Sequence, residues 1–560
     1  MQCVTIIVIM KVFLTIFCIV KWTLAADLQI TLPYGTIDGH ELTSPGNVTF
    51  RAFQGIPYAA TPVGTLRFQA PQAPASWDGV KETVKDSHTC FSVKNDSDEE
   101  NEDCLYINVF TPILSIENVT KLAVMVWIYG GAYRTGSSKY NNFGPDFLIE
   151  KDVVVVTFNY RVGPFGFLAT EDGLVPGNAG LKDQAFALQW VHDNINLFGG
   201  DPEKVVIFGQ SAGGSSVGYQ LLYKKNEGLF RGGILQSGSP LSTFSYMGDI
   251  SARAYAFDLA SQINNTIDFQ NDTTVLLEFL LGVTGRQIDT ASTKTTVTPR
   301  PLPVIEEEHD GAIITKESFE LLAAGEFLKI PIMIGSTSEE DIVAATDLAK
   351  MEAELEKATN QHSRLVPIDF KVKDGVSKDD VGDKIYNLYF DGVSSEERLG
   401  HLFRYHSHNQ YTKPVTKHAE LASNLTDVYF YIFSHDGPMG NFSITVPGAD
   451  KVGHSEDTKY LWKVTSKSYQ NGDLSQFPTG DVIAHKRLIE LWTNFAKYLN
   501  PTPEQSDLLQ NITWPKVAPG NFQYLDIGDD LVVLKNPKAP YYQSWSDYYD
   551  LYAKRPFTTF

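Results

Sequence analysis

Gly209-Gln210-Ser211-Ala212-Gly213 follows directly on the apolar run Val205-Val206-Ile207-Phe208. A strand, a sharp turn carrying a serine and a helix start rich in small residues together form a nucleophile elbow, which holds the Ser211 hydroxyl clear of a sheet. Glycines at 209 and 213 suit that turn, because side chains there would collide with the neighbouring strand and helix. An ordinary Gly/Ser-rich loop would carry the same five residues; the apolar run before them favours the elbow.

A serine hydroxyl is a weak nucleophile until a base takes its proton, and the base needs a third group to orient it. In elbow-type hydrolases the acid and then the histidine follow the serine along the chain. The segment Lys329-Ile330-Pro331-Ile332-Met333-Ile334-Gly335 has the pattern of a buried strand, with Glu339 and Glu340 just beyond it. Further on, His454-Ser455-Glu456-Asp457 sits in a polar loop that begins near Gly448 and precedes Tyr460-Leu461-Trp462. Both intervals are long enough for helices and strands to return each loop to the edge that bears Ser211.

Other landmarks run through most of the chain: Arg67-Phe68, Glu102-Asp103-Cys104-Leu105-Tyr106-Ile107-Asn108-Val109, Tyr129-Gly130-Gly131-Ala132-Tyr133, Asn159-Tyr160-Arg161, Asp183-Gln184, and Gln236-Ser237-Gly238-Ser239-Pro240. With these the chain resembles the type-B carboxylesterases, the cholinesterase-like branch of the α/β-hydrolase fold, and among them the secreted insect esterases, including the juvenile hormone esterase-like branch. The resemblance implies an α/β protein with a large, mostly parallel central sheet flanked by helices. It also implies Ser211 as nucleophile, Glu340 as acid and His454 as base, Glu340 standing five residues after Gly335 as in the family pattern. The backbone N–H groups of Gly131, Ala132 and Ala212 are implied as the oxyanion hole, where small residues let the backbone approach a developing alkoxide. No cofactor and no metal enters this expectation. Two positions depart from the family pattern: Asp341 where glycine is usual, and Lys451 where the histidine motif usually begins with glycine.

Other residues compete for chemistry. His406 and His408 lack an accompanying carboxylate or cysteine cluster and read as a surface or helix-packed pair rather than metal ligands. His485 falls within the helical pattern 482–498. His435 is the closest rival to His454, but it abuts the strand-like run Tyr429-Phe430-Tyr431-Ile432-Phe433 and has no acid pattern downstream. Glu306-Glu307-Glu308 reads as a solvated charged loop.

These groups need a frame to position them. At 560 residues the chain is long for one domain, yet no linker, repeat or low-complexity stretch divides it, and residues 211 to 454 must share a site. One α/β-hydrolase domain over 27–560, with long insertions, is the economical reading. Ala123-Val124-Met125-Val126-Trp127-Ile128 and Val153-Val154-Val155-Val156-Thr157-Phe158 read as strands buried on both faces of a parallel sheet.

Residues 1–26 read as a signal peptide: Val12 to Val20 is almost wholly apolar and Thr23-Leu24-Ala25-Ala26 supplies small residues before Asp27. The apolar stretch between Lys11 and Lys21 is shorter than the roughly 18 residues that span a bilayer. Of the four cysteines, Cys3 and Cys18 leave with that segment, and Cys90 and Cys104 remain as one expected disulfide. Sequons at Asn47, Asn95, Asn118, Asn264, Asn271, Asn424, Asn441 and Asn511 suit a glycosylated extracellular protein. The net charge of −21 argues against nucleic acid or an anionic membrane as partner.

The partner expected instead is a small lipophilic ester. The segment from Phe91 to Asp103 contains no tryptophan, where cholinesterases use one to hold a quaternary ammonium, so a choline site is not expected. Gln210, where many relatives have glutamate, is similar to the juvenile hormone esterases; hormone, odorant and xenobiotic esters all fit. The alternative is a catalytically silent, cholinesterase-like adhesion or binding protein, which usually lacks a triad residue and carries a membrane span.

Overall fold

The computed structural model describes residues 28–560 apart from 93–98, 117–118, 249, 299–300 and 465–471. The expected signal peptide, 1–26, therefore lies outside the described residues, as do the sequons at Asn95 and Asn118. Runs of β-branched and aromatic residues form the strands. A three-stranded sheet is made by β1 (Gln29–Leu32), β2 (Gly35–Asp38) and β5 (Val80–Glu82). The main sheet contains β3 (His40–Thr43), β4 (Thr49–Pro57), β6 (Tyr106–Thr111), β7 (Leu122–Ile128), β8 (Val153–Phe158), β9 (Gly200–Gln210), β10 (Gly232–Gln236), β11 (Ile332–Thr337), β12 (Val428–Phe433), β13 (Gln523–Ile527) and β14 (Leu531–Lys535).

Among the described residues this sheet has 11 strands in the order β14-β13-β12-β11-β10-β9-β7-β8-β6-β4-β3. It is parallel from β8 through β13 and antiparallel toward both edges. The central strands β8, β10, β11 and β12 are buried along their whole length, as strands covered on both faces must be. Helices Ala212–Leu222 and Thr479–Tyr498 pack against β7 and β9. This is the α/β-hydrolase arrangement expected from the sequence, and its parallel strands direct β9, β11 and β12 to end on one edge.

The sequence landmarks are contacts that fix the loops on that edge. Tyr129 and Tyr160 stack with centroids 4.3 Å apart. Each hydroxyl donates to the other's backbone carbonyl, at 2.8 and 2.7 Å. That clamp holds the start of the Gly130-Gly131-Ala132 loop. Arg161 grips Asp183 through two hydrogen bonds of 2.8 and 2.7 Å, and Arg67 grips Glu102 through two of 2.6 and 2.7 Å. Bidentate pairs of this kind set orientation as well as attraction. Trp462 packs on Trp127 of β7 and Phe208 of β9, with centroids 5.1 and 5.6 Å away, seating the chain just after the His454 loop on the sheet.

Cys90 and Cys104 form the expected disulfide, with Cα atoms 5.0 Å apart. Closing a loop of this length removes unfolded-state entropy, so replacing both cysteines by alanine is expected to cost about 3 kcal/mol. Denaturant unfolding of the double variant measures it; unchanged stability would contradict the expectation.

Glu306 corrects the reading of its acidic run as a solvated loop. Glu307 and Glu308 are exposed, but Glu306 is 4 % exposed, pairs with Lys182 at 2.5 Å and accepts hydrogen bonds from Asn178 Nδ2 and the Ile313 N–H. Asn47, Asn271, Asn424, Asn441 and Asn511 are exposed, and Asn264 is half-buried. No helix among the described residues is long and apolar enough to cross a membrane.

Candidate active site

Ser211 stands at the end of β9, on the turn into the helix Ala212–Leu222, with φ 61° and ψ −127°. A serine in this region costs on the order of 1–3 kcal/mol, and strain of that kind persists only where the surroundings impose it. Its N–H donates to Gln236 O of β10 at 2.8 Å, and its carbonyl accepts from the Ser215 N–H at 2.9 Å. At Gly213 a Cβ would lie 2.0 Å from Ile128 O, so helix and β7 approach too closely for any side chain. The elbow read from the sequence is formed.

Glu340 follows β11 and is fully buried. Its Oε1 accepts the Thr337 N–H at 2.7 Å, and its Oε2 faces His454 Nδ1 at 2.5 Å. Its backbone carbonyl also accepts the His454 N–H at 2.9 Å. Burial alone would raise this carboxyl, but His454 and the hydrogen bonds outweigh it and hold Glu340 below the usual carboxylate range. A carboxylate at Nδ1 requires that nitrogen to carry a proton, which in the neutral ring leaves Nε2 as the acceptor.

His454 Nε2 does not meet Ser211 directly. Among the described residues its partner is Gln210 Nε2, 3.1 Å away, from the residue immediately before the serine. The structure thus joins His454 to Glu340, and joins the imidazole to the elbow through Gln210, without a hydrogen bond between the imidazole and the Ser211 hydroxyl.

Gly131 and Ala132 lie in the loop after β7, with φ of 120° and 55°. A Cβ on the adjacent Gly130 would stand 3.0 Å from Ser211 Cβ, so this loop borders the elbow. Ala212 opens its helix, where N–H groups have no partner within the helix. The N–H groups of Gly131, Ala132 and Ala212 donate in none of the described backbone hydrogen bonds. The helix N-terminus adds partial positive charge at the same place.

An aromatic wall that the sequence did not reveal completes the site. Between helices Arg398–Ser407 and Lys413–Ala422 the chain makes a π-helical turn, His408–Thr412. The turn carries Tyr411, whose ring lies 4.5 Å from the His454 ring and 5.1 Å from Phe244. One residue more per turn re-aims a side chain within an otherwise continuous helix. No pattern in the sequence marks it.

Carboxylates crowd the base. Asp457 accepts from Gln236 Nε2 at 2.8 Å and Tyr431 OH at 3.2 Å, while its Oδ1 is buried with no hydrogen-bond partner among the described residues. Burial pushes Asp457 up to about 6, against about 3.9 in an unfolded chain. Between those values the folded protein holds a proton that the unfolded chain has lost, so stability falls as pH rises through that window. At neutral pH the deficit is on the order of 2–3 kcal/mol. Asp457→Asn, which cannot ionise, is expected to raise the melting temperature at about pH 8 and to lose that advantage near about pH 4.5. Thermal melts at the two pH values check it; a pH-independent difference would remove Asp457 as the cause.

Of the two departures, Asp341 is held near the dyad, its N–H donating to Ser407 Oγ at 2.9 Å and its carboxyl pushed up to about 6 by burial. Lys451 is exposed and pairs with Asp436 at 3.0 Å.

The competing histidines are elsewhere. His435 does have acid partners, contrary to the sequence reading: Asp529 at 2.8 Å and Asp481 at 3.9 Å. They come from distant segments, which is why no local pattern announced them. His408 is buried against Tyr389 OH at 3.0 Å, and His406 pairs with Glu354 at 3.1 Å. His485 is buried in its helix and hydrogen-bonds Tyr460 O at 2.8 Å, with burial lowering it to about 4. No group of three or more His, Cys, Asp or Glu gathers to hold a metal ion among the described residues.

Comparison with known proteins points the same way. The carboxylesterase family profile matches residues 26–545. The chain is 31% identical over 510 residues to a juvenile hormone esterase of Tribolium castaneum, covering 86% of this chain and 84% of that protein. It is 30% identical over 536 residues to a carboxylic ester hydrolase of Bombus ignitus, covering 91% of each. It is also 30% identical over 551 residues to a juvenile hormone esterase of Heliothis virescens, covering 94% of each.

Proposed function

The chain belongs to the carboxylesterase family and is a carboxylic ester hydrolase, and from that premise we propose that it is a secreted serine esterase working through Ser211, His454 and Glu340 on lipophilic esters. The observation that carries this reading is the 2.5 Å contact of Glu340 with His454 Nδ1, on an imidazole whose other nitrogen faces the elbow that strains Ser211.

His454 Nε2 takes the Ser211 proton as Oγ bonds to the ester carbonyl carbon. The electron pair moves to the carbonyl oxygen, which the N–H groups of Gly131, Ala132 and Ala212 receive. The intermediate collapses, His454 returns the proton to the departing alcohol, and the acyl group stays on Ser211. Water attacks the acyl-enzyme by the same route and releases the acid. Glu340 holds the imidazole tautomer and stabilises the imidazolium.

Tyr411 beside the imidazole, with Phe244 packed on Tyr411, supports an apolar group near the reacting carbonyl. The names of two relatives make juvenile hormone a candidate substrate, with odorant and xenobiotic esters as the others. Removal of residues 1–26, leaving a single domain over 27–560, and glycosylation at exposed sequons belong to the same extracellular reading. An organophosphate that phosphorylates serine hydrolases tests the site: peptide mapping should place the adduct on Ser211, and an adduct elsewhere would overturn the assignment. Comparing kcat/KM for a juvenile hormone with that for short aliphatic acetates decides between a hormone esterase and a general one.

A further inference from the structure

Gln210 is 6 % exposed and ends β9. Its side-chain nitrogen is 3.1 Å from His454 Nε2. Its side-chain oxygen, Oε1, lies on the Gly130 side, where a Cβ would stand 3.2 Å from it. This orientation is also the one that the hydrogen-bond inventory requires. With Glu340 at Nδ1, the neutral ring carries its proton on that nitrogen and Nε2 offers a lone pair, so toward the neutral ring the carboxamide presents N–H rather than oxygen.

We infer that Gln210 is a positioning residue that occupies the His454 Nε2 lone pair in the resting enzyme, so that the Ser211 hydroxyl must displace the Gln210 N–H before its proton can be taken. The inference rests on the triad reading given above. One lone pair accepts one strong donor. While Gln210 donates to it, the imidazole is held in place, and Ser211 is not yet activated. Moving the bond from the amide to the hydroxyl is then the first event of acylation, driven by substrate entering beside Ser211.

The other titratable groups around this imidazole are Glu340 and Asp341 from the chain after β11, Asp457 from its own loop, and Tyr411 from the π-helical turn. None of them supplies an N–H to Nε2, so a change confined to residue 210 isolates that contact.

Two variants and one spectroscopic measurement test it. In Gln210→Ala the competing donor is gone, and phosphorylation of Ser211 by diisopropyl fluorophosphate at about pH 8 should become about fivefold faster, the factor that corresponds to one hydrogen bond of ordinary net strength. In Gln210→Glu, of nearly the same shape, a carboxylate replaces the donor and favours the protonated ring. The fall in p-nitrophenyl acetate hydrolysis on the acid side should move to higher pH by about one unit. In the unmodified protein labelled with ¹⁵N-histidine, the His454 signals should show a protonated Nδ1 and a hydrogen-bonded, unprotonated Nε2.

An unchanged or slower phosphorylation in Gln210→Ala, together with an unmoved acid limb in Gln210→Glu, would overturn the inference. So would an Nε2 signal free of any donor, which requires no variant. Labelling of Ser211 in the unmodified enzyme separates the two failures. If Ser211 is labelled and these outcomes do not appear, only the role of Gln210 falls; if it is not labelled, the triad reading falls with it.

Discussion

Ser211→Ala is expected to lower kcat for ester hydrolysis on the order of 10⁶-fold while leaving the protein folded. The size of the loss follows from the division of labour in the site. The hydroxyl is the atom that forms the covalent bond, and neither chain neighbour can replace it: the adjacent side chains are the Gln210 carboxamide and the Ala212 methyl. What survives is catalysis from the oxyanion donors and from binding alone, about 10³–10⁴ over water in comparable enzymes. Alanine removes one oxygen and keeps the Ser211 N–H bond to Gln236 O that anchors the turn. Turnover of p-nitrophenyl acetate, read beside a thermal melt, makes the measurement. Retention of more than a few per cent of activity would mean that the nucleophile is elsewhere.

Glu340→Gln should cost about 10⁴-fold in kcat, with KM much less affected. The side chain keeps its volume in a fully buried place, but a carboxamide can turn an N–H toward His454 Nδ1. The ring proton then moves to Nε2, the nitrogen that must accept from Ser211, and no carboxylate remains to stabilise the imidazolium. The same variant should lose stability at neutral pH. Glu340 is held below the usual carboxylate range, so its contribution is fully present above the unfolded value of about 4.3 and disappears as pH falls through its folded value. The melting difference from the unmodified protein should therefore shrink in acid. A loss of activity under tenfold would exclude Glu340 as the acid, whatever the melts show.

Local patterns in the sequence were informative where a residue's role is set by its own segment. Continuous apolar runs are obliged to lie inside a covered sheet, and they became β7, β8 and β12 close to the expected bounds, while β9 starts earlier, at Gly200, than its run Val205–Phe208, and β11 is shifted to Ile332–Thr337 from the expected 329–335. Gly209 and Gly213 reported the close approach of helix and strand because only a missing side chain permits it. The pair Cys90 and Cys104 was legible because no other partners remain once the first 26 residues are set aside.

What the sequence by itself determined, then, was the order of strands and turns and the identity of the residues at their ends, since backbone sterics and burial act over a few neighbours at a time. The tertiary structure alone decided which side chains meet. It took Glu306 out of solvent to pair with Lys182, gave His435 an acid from another loop, and brought Tyr411 onto the His454 ring through a π-helical turn. It also set the Gln210 amide, rather than the Ser211 hydroxyl, against the imidazole. Each of these contacts joins segments far apart in the chain or turns on angstrom-scale differences in where a side chain is aimed, and both are fixed by the packing of the whole sheet and its helices rather than by any short stretch of residues.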